Sequence, residues 1–191
     1  MMSSTSREIK RAALALFASH GYDGTSIRDI SAAVGIRGAS MYHYFSSKEE
    51  ILWNLTESAL DQLIAAWLLA KQQVESEDPV LQLRAFVRAD VLFHTRHRDE
   101  ATLVNSQLSR LSPEHYEIAK ERRRFFEDEL ATIIQRCVAS GEYQVVDERV
   151  TRFAILQMIA AIAGWYDPEG SLSEESLAST YEELALKLIA P

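Results

Sequence analysis

VGIRGASMYHYFSSKEEIL, residues 34–52, places a glycine turn, an arginine, two tyrosines and a histidine within a few residues and then starts a new helix. A packed core has little use for so many polar-tipped side chains at close spacing. A surface built to touch a polar partner does. Gly35 suits the left-handed residue that ends one short helix. Gly38 to about Tyr44 forms the next, and Ser47-Lys48-Glu49-Glu50 is a capping box that opens a long helix to about Lys71.

Upstream, Arg7–His20 is expected to be helical, with Ile9, Ala12, Ala13, Leu16 and Phe17 on one face and Gly21 and Gly24 closing it. Thr25 or Ser26 caps a short second helix that runs through Ala33. Ile27, Ile30, Val34, Ile36, Met41 and Phe45 would hold the two short helices at a fixed angle. Short helix, glycine turn, short helix is the arrangement whose second helix enters the DNA major groove. Arg37 has the fork geometry to read guanine, and Ser40 can donate to a base or a phosphate. Tyr42 and His43 present polar tips, and Lys48 sits at the positive end of the long helix, where phosphate is favoured.

Charge supports this reading only once it is divided along the chain. The net charge of the 191 residues is −8. Residues 1–48 carry six Lys/Arg against three Asp/Glu, a balance of +3, which leaves −11 on the remainder. A basic head on an acidic body can dock on phosphate while the body stays off it. A broadly acidic body also disfavours an architectural binder that coats DNA without regard to sequence.

Residues 7–53 resemble the DNA-binding domain of the tetracycline-repressor (TetR/AcrR) family of bacterial transcriptional regulators. The resemblance is carried by Ser26-Ile27-Arg28-Asp29-Ile30-Ser31, Val34-Gly35-Ile36-Arg37, Tyr42-His43-Tyr44-Phe45 and Ser47-Lys48-Glu49-Glu50-Ile51-Leu52. Ser31 and Val34 stand where alanine is common, and Arg37 stands where a helix-capping serine is common. The resemblance implies that Thr25, Ser26, Tyr42, His43 and Lys48 grip phosphates. Arg37, Gly38, Ala39 and Ser40 would lie near bases, and Arg28 belongs to the same DNA-contacting set. It further implies an all-α regulator, with a DNA-binding domain over 1–50 and a ligand-binding and dimerisation domain over 51–191.

The body is expected to be helical throughout. Asp78-Pro79 and Ser112-Pro113 each pair a capping side chain with proline at the first helical position. Helices follow near 79–97, 99–110, 113–140, 147–166 and 173–189, which makes about nine in all and no sheet. On the helix from 113, Tyr116, Ala119, Phe126, Leu130, Ile133, Ile134 and Cys137 form an apolar stripe that contains Arg123. Asp90, His94 and His97 lie on or beside the stripe of Val80, Leu83, Val87 and Val91. An inward arginine must pair with an internal acid such as Asp90, meet an anionic effector, or extend past the core edge. The expected effector-binding set is Trp67, Asp90, Phe93, His94, Arg96, His97, Arg123, Phe126, Met158 and Trp165, which suits a small, partly apolar molecule. An alternative is a helical metalloprotein or metal-responsive regulator using Asp90, His94 and His97.

Residues 153–165 are apolar nearly all round, interrupted only by Gln157. A helix of this kind must be covered on every side, so a second copy is expected against it and against the stripe Leu177, Tyr181, Leu184 and Leu188. Two copies would also supply the two readers that a palindromic operator needs. Trp165-Tyr166-Asp167-Pro168-Glu169-Gly170-Ser171-Leu172-Ser173 resembles a tail in those members of the family that regulate lipid breakdown and sense acyl-CoA thioesters. The chain lacks a nucleophile–base motif, a phosphate-cradling glycine loop and a two-carboxylate helix pattern, so neither an enzyme nor a bound cofactor or metal is expected. The polar start Met1–Ser6, the absence of a membrane-length apolar run and the single Cys137 point to the cytoplasm, where the expected partners are a second copy of the chain (a homodimer) and double-stranded DNA.

Overall fold

The computed structural model describes residues 4–74 and 77–190. Met1–Ser3 of the polar start therefore lie outside the described residues. Helices α1 (Ser4–His20), α2 (Ile27–Val34), α3 (Gly38–Met41), α4 (Lys48–Gln73) and α5 (Pro79–Arg96) are followed by α6 (Arg98–Gln107) and a 3₁₀ turn at Leu108–Arg110. The chain continues through α7 (Pro113–Ala139), α8 (Glu148–Ala160), α9 (Ile162–Trp165) and α10 (Glu174–Ile189). The described residues contain no strand, so the all-α expectation holds. None of their helices is long and apolar enough to cross a membrane.

The helix boundaries have local causes. Ser26 accepts the Asp29 amide while the Asp29 carboxylate takes the Ser26 amide at 2.8 Å, closing a capping box. The Ser26 hydroxyl and, after it, the Ser26 amide both donate to the Asp29 carboxylate and hold it below its ordinary range. Gly35 ends α2 at φ 73°, in the left-handed region where only glycine is unstrained. Asp78 caps α5 through the Val80 amide at 2.8 Å, with Pro79 at the first helical position. Ser47 accepts the Glu50 amide at 3.0 Å, but the Glu50 carboxylate reaches one residue further back, to the Ser46 amide and hydroxyl.

Two expected helices differ in extent. The segment 147–166 is interrupted at Ala161, although right-handed backbone continues through it and Tyr166 still donates to the Ile162 carbonyl. The third helix is only four residues long. Arg37 supplies no capping bond, and the turn tightens after Met41, where His43 and Tyr44 donate to the Ser40 and Met41 carbonyls, each three residues back.

The chain packs as two compact units. The first takes Met1–Leu60 together with Asp99–Lys120, and the second takes Asp61–Arg98 together with Glu121–Pro191. In the first, Ile9, Ala13 and Phe17 of α1 are buried along with Ile30, Met41 and Phe45. Ile27, Val34 and Ile36 are half-buried, so the small core is narrower than the sequence pattern suggested. In the second unit, Trp67, Phe86 and Phe126 meet at centroid separations of 4.9 and 4.5 Å in the middle of a core that α5, α7, α8 and α10 all line. Such ring pairs add directional preference to the large area they bury.

Candidate nucleic-acid interface and effector groove

The reading face is assembled from α2, α3 and the turn after it. Arg28, Arg37, Gly38, Ala39, Tyr42 and His43 are all exposed, and Ser40 is half-exposed. Tyr42, at 59 % exposure, is a large aromatic that the core does not use. Ser26, Ile27, Arg28, Gly38 and Tyr42 line a concave surface of about 700 Å³. Arg37 sits at the start of α3 in extended conformation, φ −69° and ψ 142°, with its side chain free of a capping role. Glycine and alanine at 38 and 39 leave room for close approach of a partner on the first turn of α3.

Two residues expected to grip phosphate have internal duties. Thr25 is 2 % exposed, and its hydroxyl donates to the Leu16 and Gly21 carbonyls at 3.2 and 2.9 Å. The Lys48 ammonium donates to the Tyr22 and Thr25 carbonyls at 2.8 and 2.9 Å and lies over the Tyr22 ring. Both side chains fasten the α1–α2 connection. Ser26 is exposed, but its hydroxyl is engaged with Asp29 at 2.6 Å.

The second unit holds a groove of about 600 Å³ along α4 and α5. Ala65, Ala66 and Leu69 of α4 face Ala85, Ala89, Leu92 and Phe93 of α5 across it, and Arg88, Arg96 and His97 complete its α5 side. Among the described residues no carboxylate lines it, in a chain of net charge −8. Alanines at 85 and 89, one helical turn apart, leave the space, and this pairing of small residues is the signal in the sequence that could have found it. Phe93, Arg96 and His97 of the expected effector set line the groove, and the His97 ring stacks on Phe93 at 5.1 Å.

The remainder of that set lies elsewhere. Trp67 and Phe126 are core residues, and Trp67 donates its indole N–H to Glu129 at 2.8 Å. Lys71 also donates to Glu129, and although burial alone would raise the Glu129 carboxyl, these two donors hold it below its usual range. Asp90 and His94 are both buried. His94 Nδ1 lies 3.0 Å from the Asp90 carbonyl and 3.0 Å from its Oδ1. Asp90 is thus occupied by His94 rather than by Arg123, which is half-buried and makes no hydrogen bond or ion pair among the described residues. Met158 is half-buried against the core, and Trp165 is 51 % exposed.

The metal alternative fails on geometry. His94 faces Asp90 while His97 stacks on Phe93, and the described residues bring no three His, Cys, Asp or Glu side chains together as ligands. Cys137 is buried with its thiol pushed up to about 11, chiefly by burial, so it carries no reactive thiolate at neutral pH.

Sequence reasoning missed a charged lattice between α5 and α10. Glu182, only 7 % exposed, accepts Arg88 Nε at 2.7 Å and Arg84 Nη1 at 3.4 Å. Arg88 also reaches Glu175 and Ser179. Arg96 grips Glu174 with both arms of its guanidinium, Nη2 to Oε1 at 2.6 Å and Nε to Oε2 at 3.0 Å. The side chain of Arg96 is 51 % exposed and that of Glu174 35 %.

Known proteins share this architecture. Residues 9–53 match the family model described as bacterial regulatory proteins, tetR family. Residues 76–189 match the model described as tetracyclin repressor-like, C-terminal domain. The HTH-type transcriptional repressor KstR2 of Mycolicibacterium smegmatis is 28% identical over 189 residues, covering 94% of this chain and 87% of that protein. Among solved structures, the TetR family transcriptional regulator PfmR from Thermus thermophilus is 32% identical with a TM-score of 0.83, over 94% of this chain and 97% of that one. AibR, solved in complex with isovaleryl coenzyme A and operator DNA, is 28% identical with a TM-score of 0.84, over 96% of this chain and 98% of that one.

Proposed function

Because the chain belongs to the tetracycline-repressor family of bacterial regulatory proteins, we propose that it is a dimeric repressor released from a palindromic operator by a small effector with an apolar body, an acyl-CoA or related lipid thioester. The observation that carries the reading is the outward display of Arg28, Arg37, Tyr42 and His43 around the small residues Gly38 and Ala39. Arg37 reads a base edge, Tyr42 and His43 hold the backbone, and the phosphate contacts fix register rather than sequence.

Dimerisation is supported by apolar surface that one chain leaves open. Val150 (65 %), Phe153 (38 %) and Trp165 (51 %) of α8 and α9, with Leu184 and Leu188 (each 41 %) of α10, remain exposed although the opposite faces of these helices are buried. A second copy on this face covers them and supplies the second reading head. The thioester assignment leans on AibR, with its bound isovaleryl coenzyme A and operator DNA, and on the apolar groove of α4 and α5. Effector binding and operator binding then oppose each other by linkage.

The test is selection of genomic fragments by the purified protein with and without a panel of acyl-CoA thioesters. One enriched palindrome, released by a thioester, is the expected result. Enrichment that no thioester disturbs removes the effector class, and enrichment without sequence preference removes the regulator.

A further inference from the structure

Resting on that regulator reading, we infer that the α4–α5 groove takes an anionic amphipath whose charged head displaces Glu174 from Arg96. The groove supplies the two halves of such a ligand's complement. Ala65, Ala66, Leu69, Ala89 and Leu92 accept an apolar chain, and Arg96 stands at the α5 end beside His97 with no acid among the described lining residues. A volume of about 600 Å³ fits a chain and its head group.

Glu174 shows what Arg96 is shaped to hold. The side-on pairing of Nε and Nη2 with both carboxylate oxygens is the geometry in which an arginine binds a ligand carboxylate or phosphate. Arg96 is half exposed and Glu174 about a third, so the pair stays in contact with solvent and one anion can be exchanged for another at modest cost. Arg88 differs: it is bound to the buried Glu182 as well as to Glu175, and stays in place as the structural tie between α5 and α10. Freeing Glu174 loosens the first turn of α10, the helix that also bears exposed Leu184 and Leu188. The ion pair therefore connects occupancy of the groove to the face proposed for dimerisation.

Titration calorimetry of the full-length protein with decanoate, decanoyl-CoA and decanol tests this. The anionic probes should bind wild type about tenfold or more tighter than decanol, and Arg96→Gln should remove most of that preference while leaving decanol unchanged. Glu174→Gln, which deletes the competing anion, should tighten the anionic probes by about two- to fivefold. Ala89→Phe fills the groove and should abolish binding of all three. Thermal melts of each variant confirm folding. Preference for decanoyl-CoA over decanoate identifies a thioester as the source of the anion, and equal binding identifies the free acid. Unchanged or weaker binding in Glu174→Gln, or a preference that survives Arg96→Gln, overturns the inference. Failure of wild type to bind any probe overturns it too, and selective operator capture in the same preparation shows the regulator reading intact.

Discussion

The Lys48 ammonium sits 4.1 Å from the centroid of the Tyr22 ring and donates to the Tyr22 and Thr25 carbonyls. This one side chain, at the first residue of α4, ties that helix to the connection between α1 and α2. The family-like position of Lys48 suggested phosphate binding, but its donors are directed inward. Lys48→Met should therefore act on folding, leaving two carbonyls without their charged donor at a cost of about 1–3 kcal/mol. Chemical denaturation should show that loss, while the salt dependence of operator binding keeps its slope. A slope reduced by about one unit would return Lys48 to the phosphate-binding set.

Arg37 gives the opposite expectation. It is exposed and provides no cap to α3, so Arg37→Ala should leave the melting temperature unchanged. Operator affinity should drop by about 1–3 kcal/mol, with discrimination lost at one base position in each half-site. Competition binding against operators altered one base pair at a time measures this. A uniform loss over all sequences, with no position relaxed, would make Arg37 a backbone contact.

Much of this was legible in the chain, for reasons that differ by element. The ends of α2 and the start of α5 could be placed because Ser26, Gly35 and Asp78 act on neighbours within a few residues, which spacing alone reveals. The direction of Thr25 and Lys48 could not, since their partners are carbonyls whose positions depend on how α1 and α4 pack. Likewise the periodicity of α7 puts Arg123 within an apolar stripe, where it is half-buried, but that Asp90 belongs to His94 is a rotamer choice within one helical turn. The α4–α5 groove needed both helices in place, because a space is a property of two faces and a periodicity describes one.

Trp165, expected near the effector, is exposed, as are Phe153, Leu184 and Leu188, and all four belong to the surface proposed for dimerisation. Trp165→Asp and Leu184→Asp each place a charge there, and burying an unpaired charge between two copies is costly. Sedimentation velocity should show wild type as a dimer and either variant shifted to monomer. A folded monomer should then lose most of its operator affinity, because two half-sites are no longer read together. Dimers that persist in both variants would move the interface elsewhere.

Asp90 and His94 supply a pH signature. Burial pushes the His94 imidazolium down, but the Asp90 carboxylate beside it more than offsets this, and its pKa is raised above the ordinary 6.5. A group whose folded pKa is raised contributes stability that is complete below its unfolded pKa and is lost as pH rises through the folded value. The stability gap between wild type and His94→Gln should accordingly be widest below about pH 6.5 and narrow through the alkaline side of that point. Asp90→Asn removes the opposing charge, leaving burial dominant, so the His94 pKa should fall below 6.5 and the sign should reverse, with stability gained as pH rises through the acid range. Denaturation midpoints between about pH 5 and pH 9 for the three proteins distinguish these outcomes. Parallel curves for wild type and His94→Gln would show that the Asp90–His94 contact does not titrate with folding.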